Sequence, residues 1–211
     1  MSIAKSRPIR HHDLGAVLFD FSDVVLVRCP RCARAGHVVA QAAERQARFT
    51  CGGCGLRLDS AAKDWQGPVL CYGRRTCERC GFGSVEHRSL HATPPRPFHP
   101  LRTCPCPRCG HANPLQVKLS PHPSSDPPGD PWFGLPLLLQ ATLPWGVLWA
   151  YNPHHLEALR GYVQAQLREQ HCATKNTMFA RLPDWMKAAR HRPRLLKAIG
   201  MLTELAACDQ P

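Results

Sequence analysis

"DVVLVRCPRCARAGHVVAQAAERQARFTCGGC", residues 23–54, is the stretch that decides the fold. Cys29 and Cys32 close one two-residue turn, Cys51 and Cys54 close another, and 18 residues separate the two turns. That separation fits the C-x2-C-x15–20-C-x2-C pattern of a four-cysteine zinc site, in which each short turn aims two sulfurs at one ion about 2.3 Å away. Apolar, β-rich segments flank both turns, as an antiparallel hairpin requires. We therefore predict a zinc ribbon in which these four cysteines bind one Zn²⁺.

A second, longer ribbon follows the first. Cys77 and Cys80 flank Glu-Arg, Cys106 and Cys109 flank Pro-Arg, and 25 residues lie between the two turns. The separation exceeds the usual window because of "HATPPRPFHP", a proline-rich loop that can extend from a hairpin tip without moving the hairpin's ends. Cys104 offers a competing sulfur in "TCPCPRC", but only Cys106 and Cys109 have the two-residue spacing. The pattern predicts a second Zn²⁺ bound by Cys77, Cys80, Cys106 and Cys109.

Several further cysteines and histidines are not needed by these two sites. Cys71 and Cys104 are spare; a contact between them is one interpretation, and two free buried thiols are the one we favour. Cys172 and Cys208 stand alone in segments with helical periodicity, and we interpret them as core residues. Four histidines near the second site have ring nitrogens that also bind zinc, although the full cysteine set makes them unnecessary: His87, His91, His99 and His111.

The composition of the two sites argues against an enzyme. A zinc ion with four cysteine ligands has no open position for water or substrate. The segment "PCPRC", residues 105–109, matches the second half of the zinc-deaminase signature, but no H-x-E precedes it, and His155-Leu156-Glu157 follows it instead. The chain also lacks a G-x-S-x-G motif, a P-loop and a glycine-rich dinucleotide turn. We therefore predict no catalytic residues and no cofactor besides the two zinc ions.

The chain is strongly basic, with a formal net charge of +12. Each Zn²⁺ held by four thiolates carries about −2, so two filled sites leave roughly +8. Residues 1–110 hold 17 Lys and Arg against 8 Asp and Glu. Many of these arginines lie in or beside the cysteine turns: Arg28, Arg31, Arg34, Arg74, Arg75, Arg79, Arg102 and Arg108. Rigid basic hairpins suit phosphate contacts, and Phe49, Trp65, Tyr72 and Phe82 offer stacking faces for bases.

Two classes of partner fit this pattern. Arginine beside a zinc–thiolate site also neutralises the negative charge of the site, so the charge alone does not require nucleic acid. We favour nucleic-acid binding, and the alternative is a protein–protein adaptor or neutralising partner of another protein. No secretory signal peptide is visible after Met1, and paired cysteines in a reducing compartment indicate metal ligands, so we expect a cytoplasmic protein.

The C-terminal region has helical patterns. Asn152 followed by Pro153 is typical of a helix start, and the apolar spacing that follows predicts a helix to about His171. A short helix capped by Asp184 is predicted to run through Arg190, and a third helix is predicted to begin at Pro193. We interpret His154 and His155 as surface residues of the first turn.

The apolar stretch "DPWFGLPLLLQATLPWGVLWAYN", residues 130–152, precedes these helices. Pro136 and Pro144 interrupt it, so a membrane span is not expected. The pieces "FGLPLLLQ" and "WGVLWAYN" are typical of two buried strands, or of a strand and a turn, with a break between them at Leu-Pro-Trp-Gly. Trp132, Trp145 and Trp149 are predicted to lie in the core.

The ordered cysteine turns followed by three blocks resemble a set of uncharacterised bacterial zinc-ribbon proteins, and the blocks are "DPWFGLPLLLQ", "LWAYNPHHLEALRGYVQAQLRE" and "LPDWMKAARHRPRLLKAI". The resemblance implies a bacterial cytosolic protein and brings no established activity. We predict an α+β fold of two small antiparallel β zinc ribbons and a mainly helical C-terminal module. The predicted regions are a first ribbon (1–66), a second ribbon (67–112), a Pro-rich linker (113–131) and a Trp-rich joint with the helical module (132–211).

Overall fold

The computed structural model describes residues 8–41, 44–123, 128–170 and 176–208. The chain divides into two units, and one of them is discontinuous. Unit 1 comprises Met1–Asp59 and Leu137–Pro211, whereas unit 2 comprises Ser60–Pro136. The first predicted ribbon and the predicted helical module therefore belong to the same unit, and the second ribbon lies between them in the sequence.

Short strands outnumber helices in the described residues. The strands are β1 (Arg10–Asp13), β2 (Val24–Arg28), β3 (Ala35–Gln41), β4 (Gln46–Thr50), β5 (Arg57–Asp59), β6 (Val69–Arg75), β7 (Val85–His91), β8 (Leu101–Pro105), β9 (Ala112–Gln116), β10 (Lys118–Pro121), β11 (Leu139–Leu143), β12 (Gly146–Ala150) and β13 (Leu167–Gln170). The α-helices are α1 (Pro153–Gln164), α2 (Asp184–Lys187) and α3 (Arg192–Cys208), with 3-10 turns at Leu18–Phe21 and Ala189–His191. The chain is thus a mixed α and β protein with small antiparallel sheets and a C-terminal helix, as the sequence predicts at this level.

Unit 1 contains a four-stranded antiparallel sheet in the order β2-β3-β4-β5. Alternation along these strands turns one set of apolar side chains to the core. Val38 lies opposite Val25 on one side and Phe49 on the other, and all three are fully buried. This sheet carries the first pair of cysteine turns, one between β2 and β3 and the other between β4 and β5.

The apolar stretch before the helices forms a hairpin in unit 1. Strands β11 and β12 pair in antiparallel fashion around Pro144 and Trp145, at the predicted break, and β12 lies within the second predicted strand. The first predicted strand, residues 133–140, is wrong in its bounds, because β11 begins only at Leu139. The amide of Leu26 in β2 donates to the Tyr151 carbonyl at 2.8 Å, and the Leu138 amide donates back to the Leu26 carbonyl at 2.9 Å. None of the helices within the described ranges is long and apolar enough to span a membrane.

The tryptophans of this stretch are less buried than predicted. Trp132 and Trp149 are half-buried. Trp145 is 36% exposed and stacks on His191, with ring centroids 3.6 Å apart. The prediction of a core position is therefore wrong for Trp145, because this residue lies in the tight turn between β11 and β12, where His191 covers its ring and 36% of the residue stays exposed.

Helix α1 begins where the sequence indicates. Asn152 is the N-cap: its Oδ1 accepts from the His155 amide at 2.8 Å, and Pro153 follows at the first helical position. The Asn152 Nδ2 also donates to the carbonyls of Phe21 and Val24, at 2.8 Å each. The cap therefore ties the helix start to the N-terminal part of unit 1.

The same helix ends earlier than predicted, at Gln164. Ala165 has an extended backbone, and residues 167–170 form β13, which pairs in parallel with β1. Pairing with a distant strand outweighs the local helical periodicity here. The predicted end at His171 lies outside the described residues.

Helix α3 supplies much of the core of unit 1. It packs against α1 and β11, and its buried residues include Leu195, Ile199 and Leu202. Cys208, predicted as a core residue, is exposed at the end of this helix, so that prediction is wrong. Cys172 lies outside the described residues.

Unit 2 is built from two small antiparallel sheets, of order β10-β6-β7 and β8-β9. Its buried cluster contains four cysteines and few large apolar side chains: Cys71, Cys77, Val85, Cys104, Cys106, Leu115 and Val117. Cys80, Cys109, Phe82, Phe98 and Leu119 pack against this cluster. The second pair of cysteine turns therefore forms part of the core of unit 2.

Strands β9 and β10 occupy much of the segment 113–131 that the sequence predicts as a linker. Asp130, at the end of this segment, is buried and organises a turn. Its carboxylate accepts from the amides of Trp132 and Phe133 at 2.9 Å each and of Leu135 at 2.6 Å. Gly134 has φ +69°, and a Cβ there would lie 2.7 Å from the Gly67 Cα, so the turn requires glycine.

Candidate metal centres

The four cysteine turns share one backbone geometry. In each turn the amide of the first cysteine donates to the carbonyl of the residue five positions later, and the amide of the fifth residue of the turn donates to the carbonyl of the first cysteine. The first of these bonds join Cys29 to Arg34 (2.8 Å), Cys51 to Leu56 (3.0 Å), Cys77 to Phe82 (2.8 Å) and Cys106 to His111 (2.8 Å). Because the same bonds recur, each turn presents its two sulfurs in the same way.

The fifth residue of every turn has a left-handed backbone. The φ angles are 59° at Ala33, 69° at Gly55, 70° at Gly81 and 72° at Gly110. Glycine adopts this conformation without a Cβ penalty. Ala33 stands where the other three turns have glycine, and its backbone adopts the same left-handed conformation.

The first metal site consists of Cys29, Cys32, Cys51 and Cys54, whose sulfurs lie within 4.8 Å of one another. Across the two turns, the Sγ atoms of Cys29 and Cys54 are 3.6 Å apart, and those of Cys32 and Cys51 are 3.5 Å apart. A tetrahedron with metal–sulfur bonds of about 2.3 Å has edges of about 3.8 Å. The observed separations fit such a tetrahedron, and they exceed the roughly 2.05 Å of a disulfide bond.

The second metal site consists of Cys77, Cys80, Cys106 and Cys109, again within 4.8 Å. Its Sγ separations across the turns are 3.7 Å for Cys77 and Cys109 and 3.6 Å for Cys80 and Cys106. This grouping agrees with the prediction that Cys106 and Cys109, rather than Cys104, belong to the second site. Each of the two sites can therefore hold one metal ion.

Backbone amides favour the thiolate that a metal requires. Burial opposes ionisation of Cys77, but the N–H groups of Cys80 and Arg79 outweigh it and lower the pKa of this thiol to about 6. At Cys51 burial is likewise outweighed, mainly by the Cys54 amide, and the pKa falls to about 7. One thiol at each site is thus prepared to ionise near neutral pH.

Asn113 supports the second site and was missed by the sequence reasoning. It is fully buried, and its Nδ2 donates to the Cys77 Sγ at 3.7 Å and to the His111 carbonyl at 2.7 Å. Its Oδ1 accepts from the Glu78 amide at 3.0 Å. The first site has Leu58 at the equivalent position, four residues after its last cysteine. A polar residue at a buried position of a ligand-bearing hairpin was the available clue.

The spare cysteines and the histidines take no part in either site. Cys71 and Cys104 lie in the same buried cluster of unit 2 as free thiols, as favoured from the sequence. Among the described residues, the groups that can hold a metal contain cysteine alone. The Nε2 atoms of His87 and His91 instead contact the Ser89 hydroxyl, at 3.1 and 3.0 Å.

His155 is not the surface residue that the sequence predicts. It is 2% exposed, its Nδ1 accepts from the Tyr151 amide at 3.2 Å, and its ring stacks on Phe21. Burial, aided by the charge of His154, lowers the pKa of His155 to about 4. The ring is therefore neutral at pH 7 and acts as a core residue of unit 1.

We compared the chain with protein-family models, curated proteins and solved structures, and none of these comparisons gave a match.

Proposed function

We propose that this is a non-enzymatic protein whose two metal sites hold structural Zn²⁺ and whose basic surface binds nucleic acid. Four sulfurs in a tetrahedral arrangement favour zinc over the oxygen-seeking cations, and they fill every coordination position of the ion. The ions then stabilise the fold and perform no chemistry. Because the ions only stabilise the fold, we assign binding to the surface that the cysteine turns present.

The observation that carries the proposal is a repeated arginine. Arg31, Arg79 and Arg108 stand immediately before the second cysteine of three of the four turns. All three are exposed, and within the described residues no hydrogen bond or ion pair engages their guanidinium groups. Because the turns share one backbone geometry, a bound metal holds each arginine at a fixed point. Fixed, unpaired guanidinium groups suit contacts with phosphate.

Salt-dependent binding tests this proposal directly. We expect the zinc-loaded full chain to bind labelled DNA and RNA oligonucleotides in fluorescence anisotropy, with affinity falling steeply between 50 and 200 mM salt. The triple variant R31Q/R79Q/R108Q should reduce the slope of log K against log salt by about 2. A matched triple variant, K63Q/R96Q/K197Q, removes the same charge from exposed positions outside the turns and should change the slope much less. Absence of binding at 50 mM salt would overturn the proposal.

A protein partner is the second candidate, and an apolar segment of unit 1 favours it. Leu14, Val17 and Phe19 are 83%, 39% and 56% exposed within six residues of chain. Exposed apolar clusters of this kind mark interaction sites. Affinity capture from the native host with and without nuclease separates the candidates. A single protein retained after nuclease by the native chain, and lost with L14S/F19S, would favour the adaptor.

A further inference from the structure

The three-stranded sheet of unit 2 presents an aromatic ring between two cations. Tyr72 lies on the central strand β6, and the register sets Lys118 of β10 and Arg88 of β7 directly opposite it. Directly opposed residues on antiparallel strands project from the same face of a sheet. Lys118, Tyr72 and Arg88 therefore form one row across the sheet, drawn from segments that are far apart in sequence.

This row faces away from the core of unit 2. Residues on either side of Tyr72 along β6, Cys71 and Gly73, are buried, whereas Tyr72 itself is 39% exposed. Arg88 and Lys118 are also exposed. The opposite face of the sheet is packed on the cysteine cluster. Among the described residues of this sheet, the face with the Tyr72 row is therefore the exposed one.

The cations of this row have no anionic partner in unit 2. Within the part of the chain that the structure describes, neither the Arg88 nor the Lys118 side chain makes a hydrogen bond or an ion pair. The sheet of unit 1 differs, since its exposed Arg48 is paired with Asp59 on the neighbouring strand, at 3.6 Å. Two unpaired cations beside an open aromatic ring are therefore particular to the sheet of unit 2.

Apolar side chains extend the platform in the next row. Leu70 lies opposite Leu90 of β7, and Leu90 is 61% exposed. Adjacent strands lie about 4.8 Å apart, so Lys118 and Arg88 stand roughly 10 Å from each other across the ring. A flat ring with apolar neighbours, flanked at this distance by cations, matches an unstacked base whose two adjoining phosphates reach the cations.

We propose that this face of unit 2 binds single-stranded nucleic acid, with a base stacked on Tyr72 and phosphates at Arg88 and Lys118. The inference rests on the proposed function and names the surface and the class of nucleic acid. A duplex keeps its bases stacked on each other, so its bases cannot reach the Tyr72 ring. Single strands therefore bind this face more tightly than duplexes of the same sequence.

The test compares a labelled 12-nucleotide oligo-dT, a 12-base-pair duplex and a polyglutamate peptide, each titrated with the zinc-loaded full chain at 100 mM salt. We expect Y72A to weaken oligo-dT binding about tenfold and Y72F, which retains the ring, to bind as the native chain does. R88Q/K118Q should lower the salt slope for oligo-dT by about 1.4. The controls are L101A, which removes an apolar side chain 68% exposed elsewhere in unit 2, and K63Q/R96Q, which removes the same charge.

The outcomes separate the inference from the function on which it rests. If Y72A and R88Q/K118Q, each retaining two metal ions, bind oligo-dT like the native chain while R31Q/R79Q/R108Q is weakened, this surface is wrong and the proposed function stands. If polyglutamate binds as tightly as oligo-dT and loses affinity in Y72A, the face recognises acidic polypeptide and the inference is overturned. If no nucleic acid binds at all, both fail. Should Y72A lose metal, R88Q/K118Q decides, because its changes are confined to exposed side chains.

Discussion

The two metal sites have the same turns and different surroundings. In unit 1 the cysteines close one end of a sheet, while a separate apolar core forms between α1, α3 and the β11–β12 hairpin, with Leu156, Leu195 and Ile199 fully buried. In unit 2 the cysteines themselves make up much of the buried cluster. A unit of this size buries little apolar surface, so under the proposed function a structural metal replaces the missing core. The same four-cysteine motif therefore lies beside an existing apolar core in unit 1 and forms much of the core in unit 2.

Removal of one ligand at each site is the strongest test of this contrast, and it should give the largest effect. C106S is expected to lose one metal ion and to unfold unit 2, because structural zinc contributes on the order of 10 kcal/mol to small metal-dependent folds. C51S should also lose one ion but leave α1 and α3 packed. Metal content by mass spectrometry and hydrogen exchange over β6–β10 and over α1 and α3 measure both effects.

The neighbouring Cys104 supplies a matched control. C104S alters a buried thiol two residues from Cys106, outside the metal site, and should retain two ions and the native exchange pattern. Two ions in C106S, or rapid exchange throughout α1 and α3 in C51S, would contradict the contrast between the units.

Acid should lower the free energy of unfolding of unit 1 through His155. The pKa of His155 is about 4 in the folded chain, against 6.5 for an ordinary histidine, so protonation favours the unfolded chain. The stability it contributes is complete above pH 6.5 and is lost as the pH falls towards 4, in total roughly 3 kcal/mol. In H155N the Asn oxygen can still accept from the Tyr151 amide, and this loss should disappear.

Urea unfolding of unit 1 at several pH values between 4.5 and 7 measures the difference between H155N and the native chain. Metal release in acid affects both proteins equally and cancels in that difference. An unchanged pH dependence in H155N would show that His155 is not the titrating group.

A smaller effect is expected from making the second site resemble the first. N113L introduces the side chain that Leu58 supplies at the first site and removes the hydrogen bonds to Cys77, His111 and Glu78. Loss of such support commonly lowers metal affinity 10- to 100-fold. Competition with a chromophoric chelator should show this decrease in one of two phases, while the phase of the first site serves as the internal control. Equal weakening of both phases would refute a local role for Asn113.

The smallest expected effect concerns the turn that departs from glycine. A33G should stabilise unit 1 by about 0.5–1 kcal/mol, because it relieves the left-handed strain at φ 59° and loses part of the gain to backbone entropy. G55A, the reverse change in the partner turn, should destabilise by about 1 kcal/mol. Urea unfolding in excess zinc measures both, and a destabilising A33G would show that this turn tolerates alanine without strain.

Local patterns were enough to predict the cysteine grouping, the break at residues 143–146 with the strand after it, and the cap of α1. Spacing, alternation and capping each depend on residues close in sequence. Contacts between residues far apart in sequence could not be predicted in this way. Residues 167–170 form β13 instead of continuing the predicted helix, because they pair with β1. The Asn113 side chain contacts Cys77, which lies in a different hairpin. His155 looked like a surface residue because burial beside Phe21 depends on the N-terminal segment of unit 1. The row of Lys118, Tyr72 and Arg88 likewise appears only once β10, β6 and β7 are aligned.

The discontinuity of unit 1 dictates an order of events on the ribosome. Unit 2 is fully translated once residue 136 has been added, whereas β2 must wait for Leu137, Leu138 and Tyr151, and the β11–β12 hairpin waits longer still for α3. At about 5–20 residues per second, the remaining 75 residues to position 211 take roughly 4–15 s. Under the proposed function, the later-encoded ribbon can bind its metal ion and fold during that interval, while unit 1 is still incomplete.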